Sequence, residues 1–446
     1  MTLINWLAET IILPGSDLVL KEDVSIKLRF LLKSQYWSHS EIRAYQNKKL
    51  RELVIHAYKS VPYYTELFDK LQMTPDDIRT VDDLEKLPIL NKAEIKRHGI
   101  EKFTSTAIPL KSLIKTSSSG STGEPLFYYT TKDAYCMNIA TNLRGWYWMG
   151  FRLGDKFMKL SQNPRSNPIK IIQDKISRNM YMSTNPLIES NFHHILKSIE
   201  KYQPKVLRCY PDPLLLLARC KQGNSEFKYK PFAIATTGNT LHPETRNEIE
   251  AAFGCKIFDA YSCEGNSNVS ECSTHDCYHS SEEYGITELL DESGKPIKNG
   301  IGRLISTDLF NFAHPFIRYD TQDLAEVNSK PCTCGRKLLR INRIIGRDND
   351  IITTVNGRNF IVHNFTVFFQ TDGPELNQSI DQFQVVKRDS GHIHFRLVVN
   401  SNYSLNVEKY IKAFWKDQFS EEPYIEIVKE IPLTSSGKRC FIINEE

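Results

Sequence analysis

The 446-residue sequence has little net charge and lacks a long apolar run. A formal charge of +4 without a dense stripe of lysine and arginine argues against a dedicated nucleic-acid-binding protein. Residues 3–20 are mildly apolar, but Glu9, Pro14 and Asp17 interrupt them and no basic region precedes them. The segment therefore predicts neither a transmembrane helix nor a signal peptide. We expect a short amphipathic helix on the protein's own surface, with a peripheral membrane contact as the alternative.

Internal repeats and low-complexity tracts are also lacking, and the chain is too long for one typical core. Up to about residue 260, strands alternate with helices such as 243–253, which indicates a mostly parallel sheet. Helical periodicity also predicts helices at 38–58 and 82–98. From Tyr284 onward the pattern changes to hairpins.

A polar break at 344–350 precedes a compact unit of about a hundred residues, a common size for a small domain. We therefore predict an α/β protein with a large multi-sheet N-terminal domain (1–346) and a small, mobile α+β C-terminal domain (350–446). Ten cysteines without a secretory signal predict reduced thiols and a cytoplasmic location.

A loop rich in glycine and hydroxyl groups lies between the apolar segments Leu113-Ile114 and 126–130. Gly120 and Gly123 can adopt positive φ, so backbone N–H groups and hydroxyls would form a concavity for phosphate oxygens. The alternative is a flexible polar hairpin loop. The Gly-Lys-Ser/Thr of a Walker A motif is missing, so a cation must come from elsewhere. The predicted phosphate-binding residues are Ser117, Ser118, Ser119, Gly120, Ser121, Thr122 and Gly123.

A lysine near the carboxyl end supplies a candidate cation. Pro432 ends a predicted strand and 434–437 forms a turn, which leaves Lys438 at an exposed tip. Its ammonium group is suited to stabilise phosphate or a developing carboxyl-phosphate transition state. A lysine of this kind is usually a solvated surface residue, but together with the glycine-rich loop it is a catalytic candidate.

Two other segments follow predicted strands at the edge where open α/β sheets bind ligands. Tyr261 could stack on a nucleobase, and Glu264 could hold a magnesium ion that bridges phosphates. The alternative for Glu264 is a solvated carboxylate in an edge turn. Gly238 and Asn239 could lie along the adenine or the α-phosphate. Asp323 is suited to ribose hydroxyls, because a carboxylate accepts two hydrogen bonds at once.

Four cysteine and histidine residues form a separate cluster in sequence, in the hairpin region 264–336. Cys272 and His279 are followed by Cys332 and Cys334, which gives a Cys3His set compatible with a tetrahedral structural zinc site. Cys277 and His275 are spare candidates. The alternative is a group of reduced cysteines without a metal.

Together these segments resemble the adenylate-forming enzymes of the acyl-CoA synthetase superfamily. Within this superfamily the chain most resembles the phenylacetate–CoA ligase branch and its relatives in capsular polysaccharide biosynthesis. It runs over nearly the whole chain. The matching motifs are Tyr45-Gln46, His56-Ala57-Tyr58, Val61-Pro62-Tyr63-Tyr64, Asp83-Leu84, Leu87-Pro88, Lys92, the loop 117–125 and the terminal 434–438.

The resemblance implies an enzyme that binds ATP and Mg2+ and joins a carboxylic acid to the α-phosphate with release of pyrophosphate. The acyl group would then pass to CoA or to another nucleophile. Tyr261, Ser262 and Glu264 would form the adenine and metal motif, and Arg347 would contact ribose or phosphate. Because Lys438 lies in the small domain and the phosphate loop in the large one, domain closure would complete the site.

The resemblance also favours Cys272, His279, Cys332 and Cys334 as zinc ligands. The sequence departs from the family at two places. The acid Glu264 stands three residues after Tyr261, as in the capsule-type branch, where the common superfamily form has four, and Gln322 stands where the family usually has glycine.

The identity of the acid and of its acceptor stays open. Six aromatic residues could shape an aryl-acid pocket or belong to the core: Tyr135, Trp146, Tyr147, Trp148, Tyr210 and Phe258. The expected partners are a small carboxylic acid and either CoA or an amine or hydroxyl acceptor, and a homodimer is an option. The alternatives to a CoA ligase are a CoA-independent amide-forming, ester-forming or AMP-transferring ligase and a catalytically decayed nucleotide-binding protein.

Overall fold

The computed structural model describes residues 2–117, 126–161, 168–184, 189–223, 227–263, 268–347, 351–353, 359–361, 365, 368–369, 374–388, 392–419, 421–432 and 441–445. The chain divides into two compact units. The larger unit is made of residues from 1–118, 126–238 and 249–345, and the smaller is built mainly from 346–446. The domain bounds given above stay a prediction.

Helices dominate the first hundred residues and then alternate with strands. Their ends follow local signals: α4 begins with a capping box between Ser38 and Glu41, and α5 begins with Pro62 in its first turn. The helices are α1 (Leu3–Leu7), α2 (Leu13–Leu20), α3 (Val24–Ser34), α4 (His39–Ser60), α5 (Pro62–Leu71), α6 (Lys92–His98), α7 (Ile100–Phe103), α8 (Lys132–Trp148), α9 (Pro168–Ile176), α10 (Glu189–Tyr202), α11 (Pro211–Gln222) and α12 (Pro243–Phe253).

The prediction of one helix over 82–98 is wrong. The structure has a 3-10 helix at Val81–Lys86, an irregular segment, and then α6. Pro88 explains the break, because proline lacks an N–H group and disfavours helical backbone at the residue before it. Asn91 then caps α6 by accepting a hydrogen bond from the Glu94 N–H at 2.8 Å.

An eleven-stranded sheet forms the centre of the larger unit. Its order is β10-β11-β12-β13-β9-β8-β7-β6-β5-β3-β4, and strands from β3 to β7 pair in parallel. The strands are β1 (Ile114–Ser117), β2 (Phe127–Thr130), β3 (Phe157–Ser161), β4 (Asn179–Ser183), β5 (Val206–Cys209), β6 (Ala233–Thr237), β7 (Lys256–Ser262), β8 (Asn268–Glu271), β9 (Tyr278–Ser280), β10 (Gly285–Leu290), β11 (Gly300–Asp308), β12 (Tyr319–Val327) and β13 (Arg340–Arg347).

The antiparallel part of this sheet begins at β8, before the Tyr284 at which hairpins were expected. β1 and β2 form a separate antiparallel pair that flanks the glycine-rich loop. The almost continuous burial of β6 fits a parallel strand that is covered on both faces.

The smaller unit has its own α+β core. A four-stranded sheet of order β18-β17-β16-β19 packs with aromatic side chains, among them Phe395 and the fully buried Trp415. Its elements are β14 (Ile351–Thr353), β15 (Asn359–Ile361), α13 (Pro374–Ser379), β16 (Ile380–Arg388), β17 (Ile393–Val399), α14 (Leu405–Phe419), β18 (Tyr424–Ile427) and β19 (Ile442–Glu445).

The first helical segment is not broken at Pro14. α1, a π-helical turn at Ala8–Ile12 and α2 follow one another without a gap, and Pro14 lies in the first turn of α2. Among the described residues, Leu3–Leu20 is one helix that by length and composition alone is apolar enough to cross a membrane.

A fully buried ion pair joins α8 to the turn before β10. The Arg144 guanidinium donates to Glu283 at 2.7 Å and to the Ser281 hydroxyl at 2.9 Å, and both charged side chains have 0% exposure. Loss of one partner of such a pair costs about 3–5 kcal/mol, because the other charge stays buried. The pair therefore fixes α8 against the sheet.

The buried imidazole of His314 makes the stability of the larger unit sensitive to acid. It stacks on Phe103 at 5.6 Å and lies 4.9 Å from the Phe316 ring, and neither ring nitrogen has a partner among the described residues. Burial lowers the pKa of His314 to about 3, below its ordinary value of 6.5. Protonation thus favours the unfolded chain, and stability is lost as the pH falls below about 6.5, by about 1.4 kcal/mol per pH unit.

We expect His314→Phe to reduce the loss of unfolding free energy between pH 6.5 and pH 5 by about 2 kcal/mol. Urea unfolding of both proteins at the two pH values measures this difference. His392→Phe is the control, because His392 is exposed and faces Glu421. Equal pH dependence in His314→Phe and in the unsubstituted protein would contradict the assignment.

Candidate active site

The carboxyl ends of β6 and β7 form the centre of the candidate site. Thr237 pairs with Ala260 in parallel register, so Gly238 leaves the sheet beside Tyr261. Gly238 has φ +93°, a left-handed backbone that glycine adopts without strain. Ser262 ends β7 and is exposed. This is the edge at which open α/β sheets bind ligands, as predicted.

A hydrogen bond brings two predicted nucleotide-binding residues together. The Tyr261 hydroxyl donates to Asp323 Oδ2 at 2.6 Å, across 62 residues of sequence. Burial raises the pKa of Tyr261 well above its ordinary value of 10, and the nearby Asp323 carboxylate adds to this shift. Tyr261 is therefore a stable donor that orients the carboxylate.

A bulge in β12 sets the position of Asp323. The register against β11 shifts between Arg303 and Ile305, and Gln322 has φ +62°. The Gln322 N–H donates to Asp320 at 2.9 Å, and the Asp323 N–H donates to the Thr321 hydroxyl at 3.2 Å. This left-handed backbone explains why glycine suits the Gln322 position, and it shows that glutamine also adopts it.

A small cavity of about 40 Å³ lies where α8 faces the ends of β6 and β7. Trp146, Asn142, Phe258 and Arg208 are among the residues that line it. Within the described part of the chain, no hydrogen bond or ion pair joins the Arg208 guanidinium to another residue, and burial lowers its pKa. The Arg208 guanidinium lies 5.8 Å from the centre of the Trp146 ring, so the cavity combines aromatic walls with a cation that has no ion-pair partner among the described residues.

The aromatic residues considered for an acid pocket divide into two groups. Trp146 and Phe258 line the cavity, and Trp146 also stacks on Phe157 at 4.9 Å. Tyr147 instead donates to Glu9 at 2.8 Å, and Trp148 is buried with its indole N–H donating to Gln35. Tyr135 is exposed. Both interpretations therefore apply, each to different residues.

A second site gathers five potential metal ligands. The donor atoms of Cys272, Cys277, His279 and Cys332 all lie within 4.8 Å of one another. Cys334 joins them, with its sulfur 3.2 Å from His279 Nε2, and Cys272 and Cys332 lie 3.5 Å apart. The cluster contains the four predicted ligands together with Cys277, a spare candidate in the sequence.

The surroundings of this cluster fit a metal. His279 Nδ1 lies 3.2 Å from the Leu338 carbonyl oxygen, which orients Nε2 toward the sulfur atoms. Backbone N–H groups donate to Cys332 and Cys334 at 3.5 and 3.4 Å. Hydrogen bonding from Cys277 lowers the pKa of Cys272, which favours the thiolate that binds metals.

Several predicted residues lie outside the described part of the chain. These are Ser118–Gly123 of the phosphate loop, Glu264 and Lys438. Ser117 ends β1 as an exposed residue, Asn239 follows Gly238, and Arg347 ends β13. Their predicted roles stay predictions.

Residues 355–445 match the CapK C-terminal domain family. Protein CapK of Staphylococcus aureus is 26% identical over 453 residues, which cover 94% of this chain and 96% of that protein. A phenylacetate-coenzyme A ligase of Thermus thermophilus is 25% identical and covers 70% of this chain and 72% of its own length. The fold is similar to that of 2-hydroxyisobutyryl-CoA ligase in complex with an acyl-AMP, with a TM-score of 0.74, 15% identity and 93% coverage of both chains.

These similarities confirm the predicted resemblance. They also confirm the fold class. This chain has a large multi-stranded sheet and a C-terminal unit that matches a domain family, and its fold is similar to that of the ligase over 93% of both chains. The predicted enzyme class, an ATP-dependent adenylate-forming ligase, is confirmed by the similarity to proteins that are named as CoA ligases.

Proposed function

From the similarity of this chain to CapK and to phenylacetate-coenzyme A ligases, we propose that it is a ligase that activates a small polar carboxylic acid with ATP. The acid would form an acyl-adenylate with release of pyrophosphate, and the acyl group would then pass to CoA. The observation that carries the proposal is the Tyr261–Asp323 hydrogen bond beside Gly238, at the ligand-binding edge of the sheet.

The chain's own residues would divide the work as follows. Asp323, oriented by Tyr261, would accept hydrogen bonds from the ribose hydroxyls, and the Gly238 turn would leave space for the nucleotide. The loop from Ser117 to Gly123 would hold the phosphates with its N–H and hydroxyl groups. Lys438 would stabilise charge as the carboxylate attacks the α-phosphate, and Arg347 would contact ribose or phosphate. Mg2+ held at Glu264 would supply charge neutralisation at the phosphates.

Arg208 supports a preference for an acid with a second polar or anionic group. Its guanidinium lines the cavity between α8 and the sheet, where the described residues supply it with no ion pair. The cavity is small, about 40 Å³, which favours a small acid. A planar donor group of this kind recognises a carboxylate or hydroxyl group in a fixed orientation.

Acid-dependent pyrophosphate release tests the proposal. A panel of carboxylic acids is assayed with ATP and Mg2+, with and without CoA. We expect release with at least one small polar acid and CoA-dependent release of AMP. Turnover without CoA would support the CoA-independent ligase instead, and no exchange with any acid would support a decayed nucleotide-binding protein.

Asp323→Asn is expected to raise the KM for ATP at least about tenfold, because hydrogen bonds to a charged acceptor contribute about 1.5–3 kcal/mol each. Steady-state pyrophosphate release at varied ATP measures this change. Tyr261→Phe, which removes only the donor to Asp323, is the matched variant and should have a smaller effect. An unchanged KM for ATP in Asp323→Asn would remove the ribose assignment.

Arg208→Met is expected to raise the KM for the preferred acid about tenfold or more while the KM for ATP stays constant. The same assay at varied acid concentration measures both constants. Equal KM values for the acid in the variant and the unsubstituted protein would show that Arg208 does not recognise the substrate. The thermal unfolding temperature of the variant checks that it folds.

His279 and three of the four cysteines in this cluster would hold a structural zinc ion. Its donor set, its N–H···S hydrogen bonds and the orientation of His279 fit tetrahedral coordination by protein ligands alone. Such an ion leaves no open position for a substrate. It would tie the loop that carries Cys332 and Cys334 to the β8–β9 hairpin.

A further inference from the structure

The helical segment Leu3–Leu20 exposes an apolar surface without charge. Each residue that the structure exposes between these ends is uncharged, and Leu18 and Val19 are 83% and 79% exposed. The large exposed side chains are those of Leu3, Ile4, Trp6, Ile11, Ile12, Leu18, Val19 and Leu20. A cluster of exposed apolar side chains of this kind is typical of an interaction site.

Three polar side chains of the same segment, Asn5, Glu9 and Asp17, face the protein. Asn5 donates to the Leu153 carbonyl at 2.9 Å and to Asp155 at 3.0 Å. Glu9 accepts a hydrogen bond from Tyr147 at 2.8 Å, and Asp17 accepts one from the Ser25 N–H at 2.7 Å. The segment is thus held along the protein surface with its polar side inward, the reverse of an ordinary surface helix.

The exposed surface offers few hydrogen-bonding groups to a partner. The Thr10 hydroxyl already donates to the Trp6 carbonyl at 2.6 Å. Among the exposed side chains described for Leu3–Leu20, this leaves only the Trp6 indole N–H as a further donor. Protein–protein interfaces carry about one hydrogen bond per 100–200 Å². A surface this poor in donors and acceptors is better matched to lipid than to another protein.

Cations lie beside the amino-terminal end of this segment. Thr2 and Ile4 share a cavity of about 970 Å³ with side chains from the amino-terminal edge of the parallel sheet. The lysine and arginine residues of the cavity are Lys156, Arg178, Lys205, Lys230 and Lys256, of which Lys205 pairs with Asp155 in the same cavity and Lys256 pairs with Glu250. Phe232, which is 60% exposed, lines the same cavity.

The exposed side of the following helix, α3, combines apolar and basic residues. It contains no acidic residue, and its exposed side includes Ile26, Arg29 and Lys33. Cations beside an apolar surface are the arrangement by which proteins bind bilayers that contain anionic lipids.

We propose that Leu3–Leu20 and the adjoining basic cavity form a docking surface for a membrane with anionic phospholipids. The segment is about 27 Å long, since each helical residue adds about 1.5 Å. Its contacts through Asn5, Glu9 and Asp17 hold it flat against the protein, so it would lie in the plane of the bilayer surface rather than across it. The apolar side chains would enter the acyl boundary, and the cavity would receive lipid phosphate groups.

Co-sedimentation of the full chain with lipid vesicles tests this proposal. We expect binding to vesicles of phosphatidylcholine and phosphatidylglycerol in a 3:1 ratio, and a partition coefficient at least about tenfold lower for Leu18→Glu/Val19→Glu. Leu405→Glu is the matched control, because Leu405 is 74% exposed and lies in the smaller unit. This variant should bind vesicles as the unsubstituted protein does. Thermal unfolding of each variant checks that it folds.

A charge variant tests the basic cavity separately. Lys230→Glu should weaken binding to the anionic vesicles about five- to tenfold and leave binding to pure phosphatidylcholine unchanged. Lys298→Glu, between β10 and β11 and outside the lining of the cavity, carries the same charge change as a control.

Three results would overturn the docking surface. They are an unsubstituted protein that does not bind vesicles, a helix variant that binds as well as the unsubstituted protein, and a dimer in light scattering that Leu18→Glu/Val19→Glu dissociates in the absence of lipid. The third would assign the surface to a second copy of the chain. None of these results depends on the ligase activity, which is assayed in the absence of vesicles.

Discussion

Lys438→Ala is expected to lower acid-dependent ATP–pyrophosphate exchange by about 100- to 1000-fold. The ammonium group would act on charge that develops as the carboxylate attacks the α-phosphate, and loss of one such group costs about 3–4 kcal/mol in the transition state. The loss should fall mainly on kcat, because an interaction made only in the transition state contributes little to substrate binding. Exchange of labelled pyrophosphate into ATP measures the effect.

The control for this variant is Lys429→Ala, which removes an exposed lysine of the same C-terminal region. Both variants should have the thermal unfolding temperature of the unsubstituted protein. If Lys438→Ala keeps its full exchange rate, the terminal motif has no catalytic role in this chain, whatever its relatives do.

Cys332→Ser is expected to remove bound zinc and to lower the thermal unfolding temperature by at least about 5 °C. Cys332 belongs both to the ligand set that includes Cys334 and to the set that includes Cys277. A structural ion bound by protein ligands alone contributes directly to folding. In a unit of this size, with an unfolding entropy of about 2.1 cal/mol/K per residue, each kcal/mol corresponds to about 1.5 °C. Metal analysis by mass spectrometry and differential scanning calorimetry measure the two effects.

Cys220→Ser is the control, since Cys220 lies outside the cluster and near His193. A protein that purifies without zinc, or a Cys332→Ser variant that keeps it, would contradict the metal site. Two further variants test whether Cys334 or Cys277 is the fourth ligand. Cys334 receives a backbone hydrogen bond, and none reaches Cys277 among the described residues, so Cys334→Ser should lose zinc and Cys277→Ser should retain it.

Much of the fold follows from local sequence signals. The structure contains the helix predicted at 243–253 and the parallel pairing expected for β5, β6 and β7. The spacing of apolar residues and the turn residues between the elements indicate both features in the sequence. The segment 82–98 did not form one helix. The charged periodicity continues across Pro88, but proline interrupts a helix at that position.

The candidate site was predictable where a motif carries the chemistry. Tyr261 in β7 and Asp323 in β12 belong to recognisable segments, although only the folded sheet shows that they meet. Arg208 has no such motif, since an arginine within an apolar strand gives no sign of lining a cavity. The orientation of Glu9 and Asp17 toward the protein was also hidden, because amphipathic patterns do not say which side is partnered.

Under the proposed function, the Arg144–Glu283 pair has a consequence for changing the acid that the chain would accept. Arg144 fixes the middle of α8, and Asn142 and Trp146 on the same helix line the cavity. Between them, Gly145 leaves no room for a side chain, because an added Cβ would lie 2.9 Å from the Ser270 Cβ. Directed evolution can therefore vary Asn142 and Trp146 on a rigid backbone, whereas libraries that include Arg144 or Gly145 will return mainly unfolded protein.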